Sequence, residues 1–330
     1  MSISMSAVDG FHVVSLFFQS PQSLDVHMAE EQQRRRQRIT AACNKYNISS
    51  DWVPEKINDY SQRALVNDKY KILLHYIPKV SCSTWKDIFK DLFIKTRDNE
   101  TEKLFHGGIR VALRFTPISG KEKIRKLKTY KKVLFVREPF HRALSAFLSK
   151  FHPLNSSHVQ GLWETAYGNQ IASMYRPGHK PRMIPEVDPS DPENGTVYNF
   201  LDIKFSEFLQ YLTDIDEQNG GETPINLTND HWLQMNRISN ACVMKYDFIG
   251  YYENLAIEGP YVLRWLGVDH LVQFPDVHVS RAHQSLLNEY RKIPLELLQR
   301  LWKFYQVDYE MFGYSINDTL GTLMRGLFQR

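Results

Sequence analysis

Two short stretches carry residues able to hold anions. The first is Pro78-Lys79-Val80-Ser81-Cys82-Ser83-Thr84, set between the apolar run Lys71–Ile77 and Trp85-Lys86. An apolar run with aromatic and β-branched members that stops at a proline reads as a buried strand. Ser83 or Thr84 can cap the helix that follows, on which Trp85, Ile88, Phe89 and Leu92 share one face. A strand that feeds a helix N-terminus through a lysine-bearing loop is suited to an anion, because free N–H groups, the helix dipole, hydroxyls and an ammonium all converge there. An ordinary βα turn with a surface lysine fits the same string.

The second stretch begins with the strand-like Lys131–Val136 and reaches Arg137 at its end. Glu138-Pro139 then opens a helix, with proline in the first turn where its missing N–H costs nothing. Ala143, Leu144, Phe147, Leu148 and Phe151 form the apolar face, while Arg142, Ser145 and Ser149 fall on another. Arg137, Arg142 and Ser145 are candidates for a second anion, and a solvated charged face fits equally. Two strand–loop–helix units of this kind suit a ligand with two separated phosphate-like groups.

On these residues the chain resembles a known family. IPKVSCSTWK resembles the 5′-phosphosulfate-binding loop of the Golgi carbohydrate sulfotransferases, in the branch with the chondroitin and dermatan 4-O-sulfotransferases. FVREPFHRALSAFLSKF is similar to that family's 3′-phosphate-binding element, and Asp230-His231-Trp232 with Tyr246–Glu253 is similar too. The likeness extends over roughly Arg34 to Tyr314. It implies that 3′-phosphoadenosine 5′-phosphosulfate is the donor and an anionic, chondroitin-like glycan the acceptor. It also implies donor contacts at Pro78, Lys79, Val80, Ser81, Cys82, Ser83 and Thr84, and at Arg137, Glu138, Pro139, Phe140, His141, Arg142, Ala143, Leu144 and Ser145. Arg142 either assists the phosphate or packs against a carboxyl group. The implied fold is α/β, a P-loop-like parallel sheet flanked by helices, in a single sulfotransferase domain. The glycine-rich GxxxxGK[ST] string is missing, which speaks against a nucleotide triphosphatase or an ordinary kinase.

Transfer to a sugar hydroxyl needs a base, and histidine has the right range. His106, beside Gly107-Gly108 and between the two binding elements, is the first candidate, because related 2-O-sulfotransferases carry their base in a similar place. His231 is the second, although a histidine before a tryptophan is more often structural. Lys79 is the group expected to meet charge on the leaving oxygen. A sulfotransferase for a heparan-type chain, or a glycan-binding pseudoenzyme of the same fold, are the alternative readings.

The 330 residues are 42% hydrophobic and 24% charged with a formal charge of +4, a globular composition that does not call for nucleic acid. Residues 1–59 read as a tail and a basic stem helix (Glu30–Tyr46, expected to face water), and 60–330 as the catalytic domain. Phe11–Phe18 is too short to span a bilayer and a poor signal peptide, whereas the family is anchored in the Golgi membrane. Sequons at Asn47, Asn99, Asn155, Asn194, Asn226 and Asn317 fit a lumenal protein. Three cysteines without metal spacing argue against zinc. Cys82 is expected to be a small buried thiol, and in a lumenal compartment Cys43 and Cys242 can pair, tying the stem to the core.

Further elements are expected at Ser119–Leu127 (capped helix), Asn199–Leu212 (amphipathic helix), Lys245–Tyr252 (strand), Ile257–Leu266 and Pro294–Tyr305 (helices). Val307–Tyr314 is expected to dock the C-terminus. Phe151–Tyr198 shows little periodicity, and its Trp163, Tyr167, Arg176, His179, Lys180 and Arg182 are of the types that stack on sugars and pair with uronates. His278, Arg281 and His283 are further pocket-lining candidates.

Overall fold

A computed structural model describes residues 21–96, 118–151, 162–188, 191–224, 227–276 and 288–325. Its strands are β1 (Ala64–Asn67), β2 (Ile72–His75), β3 (Lys131–Val136), β4 (Arg182–Asp188), β5 (Asp191–Phe200) and β6 (Phe248–Tyr251). Its helices are α1 (Pro21–Lys45), α2 (Ile57–Ser61), α3 (Cys82–Thr96), α4 (Gly120–Thr129), α5 (Pro139–Lys150), α6 (Asn169–Tyr175), α7 (Phe205–Gln218), α8 (Met235–Ser239), α9 (Ala241–Met244), α10 (Leu255–Leu266), α11 (Leu295–Phe312) and α12 (Ile316–Arg325). The described residues fall into two compact units. One holds those up to Pro139 with those of 233–279 and 306–322, and the other holds those of 140–232, 280–305 and 323–325.

The first unit is built on a four-stranded sheet in the order β1-β2-β3-β6, in which β2, β3 and β6 run parallel and β1 is antiparallel. β2 is buried along its whole length and β3 everywhere except Lys131, as expected of strands covered on both faces. Trp85 of α3 packs on Phe135 with ring centroids 4.9 Å apart. Phe135 lies beside Gly250 of β6, where a Cβ would come within 2.2 Å of its ring. The α/β sheet flanked by helices follows the sequence expectation, but β1 was not anticipated.

α1 departs from the expected solvated stem. Among the described residues β6 is an edge strand, and an open edge invites unwanted pairing. α1 covers it with side chains that imitate a neighbouring strand. Gln32 Nε2 donates to Ile249 O (2.9 Å), and Ile249 N donates back to Gln32 Oε1 (2.7 Å). Arg35 is buried and donates to Ile249 O (2.6 Å) and, with both Nη atoms, to the Glu258 carboxylate (2.9 and 2.8 Å). Burial works against the Arg35 charge, but the hydrogen bonds to the Glu258 carboxylate outweigh it and hold the Arg35 pKa above its ordinary value. The Cys43–Cys242 disulfide pins the end of α1 to α9.

His75, the last residue of β2, is buried with Nε2 donating to Tyr60 O (2.7 Å) and Nδ1 2.5 Å from the Tyr246 hydroxyl. Burial holds it neutral and lowers its pKa from 6.5 to about 4. An unfolded chain takes up this proton near 6.5 and the folded one only near 4, so the stabilisation is full above 6.5 and is lost as pH falls through that window. The loss amounts to about 3 kcal/mol by pH 4. Urea midpoints between pH 7 and 4.5 should show this slope in the wild type and a shallower one in His75→Asn.

In the second unit the expected helix over Asn199–Leu212 begins later. Residues 191–200 form β5, paired antiparallel with β4, and α7 starts at Phe205, where Lys204 N donates to Glu207 Oε2 (2.8 Å). The described residues of Phe151–Tyr198 hold more regular structure than the composition suggests: a π-helical turn (Glu164–Gly168), α6 and the antiparallel pair β4 and β5. α11 continues past the expected end at Tyr305 to Phe312.

Candidate active site

In the first unit the Pro78–Thr84 loop joins β2 to α3. Lys79 and Ser81 both adopt left-handed backbone angles, with φ of +70° and +50°. That conformation costs a non-glycine residue about 1–2 kcal/mol, and it persists where surrounding contacts enforce it. Two such contacts are visible: Val80 N donates to Ile77 O (3.2 Å), and Arg137 Nη1 donates to Lys79 O (3.0 Å). The first intrahelical bond of α3 runs from Trp85 N to Ser81 O (3.1 Å). The N–H groups of Cys82, Ser83 and Thr84 therefore have no intrahelical acceptor, as at any helix N-terminus. The helix begins at Cys82, so Ser83 and Thr84 lie in its first turn and neither is the cap expected from sequence. Val80 is buried, whereas Cys82 is only half-buried, more open than expected.

Arg137 thus meets the Lys79 loop directly, a contact that sequence reasoning did not foresee. Its guanidinium lies 4.0 Å over the Tyr252 ring. Its Nε–H is buried with no acceptor among the described residues, which leaves a donor suited to an anion. Glu138 faces the other way. Its Oε1 accepts from the hydroxyls of Tyr309 and Thr319, and its N–H donates to Glu253 Oε1 (2.9 Å). Glu253 Oε2 in turn accepts from Tyr314 (3.0 Å). These contacts dock the C-terminal segment. Asn47 and Asn317 are both exposed, while Thr319 of the Asn317 sequon is buried.

In the second unit Phe140, Ala143 and Leu144 are core residues, and Phe140 stacks on Tyr290 at 5.3 Å. Arg142 does not lie on a solvated face. It is fully buried, and its Nη2 donates to the Asp230 carbonyl (2.6 Å). His141 is buried as well, and Ser145 is half-buried on α5. Arg142 therefore positions the segment that bears His231. There His231 Nδ1 lies 2.6 Å from Asn229 Oδ1 and 3.1 Å from Asp230 Oδ1. Both partners are acceptors, so Nδ1 is the nitrogen that donates here. Arg176, a candidate for pairing with sugar carboxylates, is instead held by Leu201 O (2.9 Å) and Glu207 Oε2 (3.1 Å).

His106, His278, Arg281 and His283 lie outside the described residues. Among the described residues no group of His, Cys, Asp and Glu is placed to hold a metal ion, and no helix is long and apolar enough to cross a membrane.

The profile of the Sulfotransferase family matches residues 62–315. Carbohydrate sulfotransferase 14 of Danio rerio is 31% identical over 309 residues, which cover 91% of this chain and 76% of that protein. Carbohydrate sulfotransferase 12 of Xenopus laevis is 29% identical, over 88% of this chain and 70% of its own length. For carbohydrate sulfotransferase 8 of Mus musculus the values are 27%, 89% and 67%. No solved structure matches the chain.

Proposed function

This chain belongs to the sulfotransferase family and is a sulfotransferase enzyme, and from that premise we propose that it transfers a sulfuryl group from 3′-phosphoadenosine 5′-phosphosulfate to a glycan hydroxyl. The acceptor proposed is chondroitin, at the 4-hydroxyl of N-acetylgalactosamine. The observation that carries the reading is the strained Lys79 loop at the α3 N-terminus, braced by Arg137 with its Nε–H still to be paired. Three N–H groups at a helix start, an ammonium and a buried guanidinium donor fit the oxygen-rich donor with its two separated anionic groups. The relatives' names support a carbohydrate acceptor.

The residues divide the work. Lys79 and the Ser81–Thr84 amides and hydroxyls hold the 5′-phosphosulfate. Arg137 and Ser145 serve the 3′-phosphate. In the transfer the acceptor oxygen bonds to sulfur as the bond from sulfur to the bridging phosphate oxygen breaks. Charge gathers on that bridging oxygen, where the Lys79 ammonium neutralises it, and adenosine 3′,5′-bisphosphate leaves. The hydroxyl proton goes to a histidine. His106 is the first assignment. The two oxygens that orient Nδ1 of His231 favour a second, with Nε2 as the base. His106→Ala and His231→Ala separate them: loss of the base should lower kcat about 10²–10⁴-fold, and loss of the other histidine far less. The reading also places the protein in the Golgi lumen, which the disulfide and the exposed Asn47 sequon support.

Labelled donor offered to desulfated chondroitin, dermatan and heparan-type chains, followed by disaccharide analysis, tests the assignment. Label at the 4-position of N-acetylgalactosamine is the expected product. Label on the heparan-type chain alone would overturn the chondroitin assignment but keep the reaction.

A further inference from the structure

Two consecutive tyrosines at the end of β6 each carry an arginine on the ring, and the two arginines differ. Arg35 lies 4.1 Å over the Tyr251 ring, and Arg137 lies 4.0 Å over that of Tyr252. Arg35 donates inside the fold with all three guanidinium nitrogens. Its Nε reaches Glu31 Oε1 (3.0 Å), its Nη1 reaches Ile249 O and Glu258 Oε2, and its Nη2 reaches Glu258 Oε1. Arg137 is as deeply buried, at 4% exposure for each, yet it has no carboxylate partner among the described residues. Its Nη1 donates to Lys79 O, and its buried Nε–H is unpaired. A buried cation is ordinarily paired, so a guanidinium with an open donor edge is short of an anion.

Sheet register brings Tyr252 to Arg137. Val136 of β3 and Tyr251 of β6 are partners, so the residues that follow them leave the sheet side by side. Tyr252 opens the single 3-10 turn Tyr252–Asn254, and both of its neighbours are anchored. Tyr251 N donates to Glu258 Oε2 (2.9 Å), and the Tyr251 hydroxyl donates to Phe312 O (2.5 Å). Glu253 accepts from Glu138 N (2.9 Å) and from the Tyr314 hydroxyl (3.0 Å). Tyr252 itself is half-buried, and its hydroxyl has no hydrogen-bond partner among the described residues. What it presents to Arg137 is the face of its ring, on a backbone fixed at either side.

We propose that Tyr252 is a positioning residue for the donor: its ring fixes the plane of the Arg137 guanidinium, so that Nη1 braces Lys79 while the Nε edge is offered to the 3′-phosphate. The inference rests on the donor reading above. One hydrogen bond from Nη1 leaves the guanidinium free to swing about it, and a ring face underneath removes that freedom. The ring quadrupole attracts the cation without occupying an N–H group. A carboxylate in the same place would take up the donor fork and neutralise the charge, as Glu258 does for Arg35. A guanidinium already oriented has less freedom to lose when the anion arrives, which favours binding.

Calorimetric binding of adenosine 3′,5′-bisphosphate to the full chain tests this without turnover. Each variant is measured well below its own melting temperature, so that lost folding is not read as lost affinity. Tyr252→Leu should weaken the bisphosphate about tenfold, and Tyr252→Phe, which keeps the ring, by no more than about twofold. Arg137→Gln should weaken it as well. Adding Tyr252→Leu to Arg137→Gln should then change the affinity by less than about twofold, because the ring acts only through the guanidinium. Wild-type affinity in Tyr252→Leu would overturn the positioning role. So would a full tenfold loss on adding Tyr252→Leu to Arg137→Gln, the mark of a ring that touches the nucleotide itself. A wild type that does not bind the bisphosphate would overturn the role together with the donor reading. Affinities that follow these expectations in a chain that transfers no sulfate would uphold the role and count against the proposed reaction alone.

Discussion

Lys79→Ala is expected to lower kcat for sulfuryl transfer by about 10³-fold, while the melting temperature moves by less than about 3 °C. The separation of the two effects follows from the loop. What holds its backbone is the carbonyl of Lys79, which accepts from Arg137, and the Val80–Ile77 turn bond, neither of which needs the lysine side chain. In the proposed mechanism the side chain supplies an ammonium for the oxygen on which charge develops. Because that interaction grows toward the transition state, kcat should fall much further than donor affinity. Single-turnover rates and equilibrium binding of adenosine 3′,5′-bisphosphate measure the two separately. A variant retaining more than about a tenth of the wild-type kcat would remove Lys79 from the chemistry.

Loss of the Cys43–Cys242 disulfide is expected to cost about 3–5 kcal/mol of stability. The bond spans 199 residues, and the chain-entropy cost removed from the unfolded state grows with the logarithm of that length. It also fixes the end of α1, whose Gln32 and Arg35 close the β6 edge. Cys43→Ser or Cys242→Ser should melt about 5–10 °C below the wild type. A reductant should bring the wild type down to the same value and leave the variants where they are. Equal melting of oxidised and reduced wild type would show that α1 is held by Gln32, Arg35 and Glu258 without help.

What could be read from sequence was whatever local pattern determines. The run before Pro78, the KKVLFV strand and the Pro139 helix follow from alternation, apolar periodicity and proline placement, and each formed close to where it was expected. The expected Ser119 cap also formed, accepting from Glu122 N at 3.2 Å. Features set by distant partners stayed hidden. Arg34-Arg35-Arg36 reads as a solvated run because Glu258, 223 residues away from Arg35, is invisible to local pattern. Arg142 falls on a polar face by helical spacing, but the Asp230 carbonyl draws it inward. The start of α7 was misplaced because the apolar residues of 200–212 run through a strand end and a helix without a break in period. The stop lies in the backbone, at Asp202 with its φ of +50°, and in an N-cap lysine, a residue type that gives no capping signal. At the site, the two strings proposed to hold anions were legible as strings. The Arg137–Lys79 contact and the paired oxygens on His231 Nδ1 required the fold.

The most direct test is to incubate the wild-type chain with sulfur-labelled 3′-phosphoadenosine 5′-phosphosulfate and desulfated chondroitin, and to follow the label and the nucleotide together. Label entering the glycan in step with release of adenosine 3′,5′-bisphosphate is the predicted result. Donor that binds but passes label to no glycan in the chondroitin, dermatan and heparan-type panel would contradict it and mark the chain as a glycan-binding protein on a sulfotransferase fold.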